Sequence, residues 1–138
     1  MKRVVTVTGE DGRSRVLETP APVPFRWGEI AWPVAPDDPG RTELAPGEVS
    51  WRLYTLPSSE ELDAYIQERY GDDPRAGMHR TPTTDFVYVL EGRVELVLDE
   101  GSTELEAGDV VIQCGNVHAW RVLDGPVRLA TLMVGTAE

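Results

Sequence analysis

The chain has 138 residues, 41% of them apolar, which suits one ordinary domain that buries roughly two thirds of its unfolded surface without staples. Its 24 acidic against 13 basic residues give a net charge of −11, which argues against a nucleic-acid or anionic-membrane partner. Cys114 is the single cysteine, so an intrachain disulfide is excluded, and no apolar run has the length of a membrane span or of a signal-peptide core; the expectation is a soluble cytoplasmic protein.

Val4 to Val7 and Val16-Leu17 have strand composition, and eight prolines punctuate the chain between Pro20 and Pro57. Proline is rare in central strands, so Thr19 to Gly40 reads as a long ordered arm or loop, and Val49 to Leu56 as a strand carrying Trp51 and Tyr54. Ser58 and Glu61 have capping-box spacing, Leu62, Tyr65, Ile66 and Tyr70 recur at helical intervals, and Gly71 comes next as a C-terminal cap. This predicts one amphipathic helix laid on the outside of a sheet, with Glu60, Glu61 and Asp63 at the favourable end of its dipole. The charges of Lys2, Arg3, Arg13 and Arg15 read as ordinary surface.

Turn residues then recur at a regular step: Glu91-Gly92, Glu100-Gly101-Ser102, Ala107-Gly108-Asp109, Gly115-Asn116 and Asp124-Gly125-Pro126. Between them lie short β-branched runs, Phe86 to Leu90, Val94 to Leu98, Val110 to Gln113, Ala119 to Leu123 and Val127 to Val134, the rhythm of an all-β sandwich or barrel. The chain has two histidines, His79 and His118, with Asp85 between them in sequence. A small barrel would point both imidazoles inward, where histidine exchanges protons at neutral pH and a carboxylate fixes a tautomer or takes a proton itself. Trp120 lies two residues past His118, on the same strand face. Trp51 and Tyr54 are candidates either for further apolar lining or for core, and Gln113 is either an amide in the pocket or a solvent-facing residue. Cys114, with no adjacent histidine, reads as a packed strand-end thiol.

The segment from His79 to His118 resembles the two motifs of the cupin superfamily. In the first motif, His-x-His, three or four residues, Glu, six residues, Gly, the matching positions here are His79, Thr81, Asp85 and Gly92; Thr81 replaces the second histidine and Asp85 the glutamate, and Asp73 stands where an earlier glycine is usual. The second motif is similar to Gly108 through His118-Ala119-Trp120, with Cys114 where proline is common. Arg3 to Leu17 also looks like the start of a group of small bacterial single-domain cupins with His-x-Thr and Gly-x-x-His-Ala-Trp.

The resemblance implies an all-β, cupin-type conical β-barrel (a double-stranded β-helix or jelly roll) of about eleven strands, with one amphipathic helix and an N-terminal arm. Within one domain, residues 1–57 would be N-terminal strands and a Pro-rich arm packing on the barrel, 58–71 the helix, and 72–138 the barrel core. It also implies a homodimer whose arm crosses to its partner. His79, Asp85 and His118 would form a 2-His-1-carboxylate set for a divalent ion such as iron, manganese, nickel or zinc, or a metal-free pocket. Thr81, Gln113, Trp51, Tyr54 and Trp120 would bind a small-molecule substrate. Because this fold hosts many chemistries, three functions stand side by side. The first is a proton-transfer enzyme (cyclase, dehydratase or isomerase) acting on a carbonyl-bearing, aromatic or polyketide-like metabolite of secondary metabolism, with His118 as the main acid/base and His79 as its partner. The second is an Fe(II) dioxygenase, and the third a non-catalytic binding barrel.

Overall fold

The computed structural model describes residues 5–17, 23–24, 30–33 and 44–137. Among them are nine strands, β1 (Val5–Thr8), β2 (Ser14–Leu17), β3 (Val23–Pro24), β4 (Ile30–Pro33), β5 (Val49–Leu56), β6 (Thr83–Leu98), β7 (Ser102–Glu106), β8 (Val110–Cys114) and β9 (His118–Gly135), and one helix, α1 (Ser59–Tyr70). β1 and β2 form a separate hairpin; the remaining strands make one antiparallel sheet in the order β3-β4-β5-β9-β6-β7, with β8 on β6.

β6 and β9 organise this sheet, because they pair along most of their length and bend together where their register shifts between Val89 and Val94. Bulges bend and twist a strand without ending it. Gly92, at φ +82°, sits at this corner, where an added Cβ would collide with the Pro126 carbonyl oxygen and lie 2.8 Å from that of Asp124. Only glycine lets the two chains approach so closely. The bend folds the sheet onto itself: Val87 and Val89 before the corner share a core with Val94 beyond it and with Val122, Val127 and Leu129 of β9. β8 and β7 pair with β6 on opposite sides of the corner and not with each other, so among the described residues the barrel is open along that flank.

Three expectations change. Glu91-Gly92 and Gly125-Pro126 are bends inside continuous strands and not turns between separate ones, which lowers the strand number from about eleven to nine among the described residues. The stretch Thr19 to Gly40, read as an arm, contains β3 and β4, with their prolines near the sheet margin where a missing N–H is tolerated; the rest of it, like Lys2 and Arg3, lies outside the described residues. β5 sits between β4 and β9, so the barrel sheet begins before residue 58.

The helix has the predicted ends. The Ser58 hydroxyl accepts from the Glu61 backbone N–H at 3.2 Å, Glu61 accepts from the Ser58 N–H at 3.1 Å, and Gly71 donates to the Gln67 carbonyl at 3.0 Å. Its amphipathic seat is weaker than predicted, since no helix residue is buried: Leu62, Tyr65 and Ile66 are half-buried and Tyr70 is exposed. A stripe of three residues is narrower than the face a helix presents to a core, and part of its packing is Ile66 against Gly77.

Candidate active site

His79 and His118 meet because their backbones pair. Each donates its N–H to the other's carbonyl at 2.9 Å, an antiparallel bridge outside the main ladder. Directly opposed residues put their side chains on one face, and the two rings stand 4.5 Å apart at 55°. Each ring has Nδ1 3.0 Å from the carbonyl oxygen two residues upstream, Gly77 for His79 and Asn116 for His118. A carbonyl only accepts, so Nδ1 carries the hydrogen and, in the neutral ring, Nε2 keeps its lone pair. His118 is buried and His79 exposed, so the pair spans from interior to mouth. Trp120 meets His118 edge-on at 6.1 Å, and Arg80 Nε donates to the Gly115 carbonyl at 2.6 Å, tying the two histidine-bearing segments together.

Behind the imidazoles, strand register lines up two rows across the inner face. One contains Ser50, Met133, Asp85 and Gln113; the next contains Arg52, Thr131, Val87 and Val111. Ser50, Arg52, Thr83, Asp85, Gln113 and Thr131 are all buried, an unusual density of polar side chains for a domain this small. Some are satisfied internally: Arg52 Nε donates to Ser50 Oγ at 3.1 Å, the Thr81 and Thr83 hydroxyls lie 2.9 Å apart, and the Tyr54 hydroxyl reaches Met133 Sδ at 3.8 Å. Asp85 Oδ1, Gln113 Oε1 and Thr131 Oγ1 are buried without a hydrogen-bond partner among the described residues. Each such group carries a desolvation cost, which in a native protein calls for an explanation.

The electrostatics bring two groups toward each other. Burial raises the Asp85 carboxyl above the usual carboxylate range, against the pull of the Thr83 hydroxyl and the charges of His118, Arg52 and His79. Burial also lowers His118 below the ordinary imidazole value; the Asn116 carbonyl and Asp85 oppose this shift and His79 adds to it.

Of the residues singled out in the sequence, His118, His79, Asp85, Gln113, Thr81, Tyr54 and Trp120 belong to this inner region. Trp51 does not: it is 41% exposed and points the other way, because residues 51 and 54 have opposite parity and one strand cannot turn both inward. Cys114 is likewise exposed on the outer side of β8 instead of packed. Ser50, Arg52, Thr83, Thr131 and Met133 escaped the sequence reading. The alternation Ser50, Arg52, Tyr54 against Trp51 and Leu53 held the signal for the first two.

The donor set does not fit the divalent ion that the resemblance implies. Among the described residues no three His, Cys, Asp or Glu side chains converge to hold one. Thr81 stands in place of the family's second histidine, with its hydroxyl engaged by Thr83.

Residues 69–135 match the family model of the cupin domain. Oryzines biosynthesis cluster protein J of Aspergillus oryzae is 29% identical, over 86% of this chain and 73% of its own length. Phomopsin biosynthesis cluster protein C′ of Diaporthe leptostromiformis is 49% identical over 45 residues, 32% of this chain and 24% of that protein, so the match spans about a quarter of that relative. In fold, the chain is similar to the cupin domain of Schizosaccharomyces pombe Cnp3, with a TM-score of 0.52 at 13% identity over 96% of this chain and 86% of that one. The family match begins in the helix, takes in the histidine pair and runs to the end of β9; over residues 69–135 the chain matches a cupin domain.

Proposed function

We propose that this protein is an enzyme of secondary metabolism that moves protons beside a carbonyl group, a cyclase, dehydratase or isomerase for an aromatic or polyketide-like metabolite. The observation that carries the reading is His118: buried, fixed in one tautomer by the Asn116 carbonyl, and tilted against a second imidazole at the mouth. Relatives named for two fungal biosynthesis clusters support the metabolic setting. In this mechanism His118 Nε2 takes a proton from carbon next to the carbonyl, and its depressed pKa keeps it neutral for that task. Asp85, shifted upward, holds a proton more readily than an ordinary carboxyl and returns one to oxygen or to the leaving hydroxyl. His79, exposed beside His118, exchanges protons with water. The dioxygenase reading would need Asp85 to join the two imidazoles as a third donor, and among the described residues no three such side chains converge.

The test is α-proton exchange in D2O, followed by NMR on a set of aromatic ketones and 1,3-diketones. Exchange should be catalysed by the intact chain and fall ~10²–10⁴-fold in His118→Ala, the usual worth of a positioned acid/base group. The acid limb of its pH profile should lie below about 6.5, the ordinary imidazole value. Exchange that is absent, or indifferent to His118, would leave the binding-barrel reading in its place.

The same proposal includes assembly as a homodimer through the outer face of β5, β6 and β8. Trp51, Phe86, Tyr88, Val110 and Ile112 are exposed there. Two copies carrying −11 each repel, and contact through these five uncharged side chains adds apolar burial without placing like charges face to face.

A further inference from the structure

The open flank of the barrel holds a cavity of about 420 Å³ between β8 and the second half of β6. Leu96, Leu98, Val111 and Val117 give it apolar walls, Gln113 and Asn116 line it too, and the carboxylates Asp99 and Glu100 border it. It adjoins the imidazole pair, since Leu98 is the register partner of His118 and Leu96 that of Trp120. Gln113 is 4% exposed, its Oε1 has no partner among the described residues, and it is the register partner of Asp85, whose Oδ1 is also unpartnered. An amide and a carboxyl that both keep an open acceptor in a dry site leave places for donors that the described residues do not fill.

We infer that this side cleft is the substrate-binding groove, and that it selects a neutral molecule with an apolar body whose buried end carries a hydrogen-bond donor, an O–H or an amide N–H, read by Gln113 Oε1 with Asp85 behind it in the same row. This deepens the proton-transfer reading and rests on it for what happens to the bound molecule, but not for how it binds. The volume suits a molecule of about two fused rings, and pockets that are mostly apolar with a few converging polar atoms are the usual form of small-molecule sites. The entry is lateral, along the gap between β7 and β8. A carboxylate at the buried end is disfavoured, because it would bring a negative charge to two unpartnered acceptors.

Two matched pairs of probes differ only in the donor: 2-naphthol against 2-methoxynaphthalene, and 2-naphthamide against 2-acetonaphthone. Each is titrated into the full chain with NMR detection of the Gln113 side-chain amide and the Leu96, Leu98, Val111 and Val117 methyl groups. The donor-bearing member of each pair should bind about tenfold more tightly, the worth of roughly one hydrogen bond. Gln113→Met, which fills similar space without the acceptor, should reduce that preference while leaving the donor-less probes unchanged. Leu98→Trp should block all four. His118→Ala should keep the preference, so α-proton exchange that is absent from the intact chain, or undiminished in His118→Ala, with the binding preference intact would strike the proton-transfer reading alone. Equal binding within both pairs, a preference unaltered in Gln113→Met, or no shift of the cleft methyls would overturn the groove.

Discussion

The two faces of the central strands invert the usual arrangement of a soluble sheet. On the inner face the row Ser50, Met133, Asp85 and Gln113 is mostly polar and buried. One residue along, the row Trp51, Leu132, Phe86 and Ile112 runs over the outer face, with Phe86 43% and Ile112 59% exposed. Hydrophobicity alone would turn Phe86 inward and Asp85 outward. The register is decided further along β6, where Val87 and Val89 on the inner side join the main core while Phe86, Tyr88 and Leu90 stay outside. A strand apolar on both faces belongs to a sheet that is covered on both faces. In these strands one face encloses a cluster of buried polar side chains and the other exposes large apolar ones.

The largest expected effect breaks the inner face. Leu129 is fully buried in the core, and Leu129→Ala should cost ~2–5 kcal/mol in urea unfolding. Leu132→Ala, on the half-buried outer row, should cost less than half as much. Equal losses would mean that the outer face is as tightly packed as the core. Next in size, Phe86→Ser combined with Ile112→Ser should shift sedimentation toward the monomer while stability per chain changes little. An unchanged mass at low micromolar concentration, as a dimer or as a monomer in both proteins, would remove this face as the dimer contact.

The smallest effect sharpens the electrostatic side of the contrast. Because its folded pKa is raised, Asp85 binds a proton more tightly in the folded chain than in the unfolded one. It therefore adds stability as pH falls through its folded pKa, and this gain is complete below about 3.9, the unfolded value. His118, lowered, acts with the opposite sign: stability is lost as pH falls from about 6.5 through its folded pKa. Melting curves should find Asp85→Asn more stable than the parent at pH 7, with the advantage shrinking on acidification. Parallel curves at every pH would show that Asp85 is not desolvated.

Much of this was legible in the sequence where local rules decide. Ser58, Glu61 and Gly71 delimit the helix because caps satisfy backbone groups within a few residues. The histidine pair was legible as chemistry, since two imidazoles in the whole chain stood in motif context, but their backbone bridge depends on distant segments meeting. The corner at Gly92 resembled a turn because glycine serves both turns and bulges; only the Pro126 carbonyl across the gap distinguishes them. Arg52, Thr83 and Thr131 were hidden because a polar residue in a strand ordinarily signals the wet face. Parity across four strands was needed to put them in one place.

The bridge between His79 and His118 also sets a clock. The atoms that pair the two imidazoles are backbone amides donating reciprocally, so the assembled geometry lasts as long as those two hydrogen bonds. If the bridge opens as a unit, both amides should exchange with solvent at one shared rate, and that rate would bound from above how long the pair can remain poised between encounters with substrate.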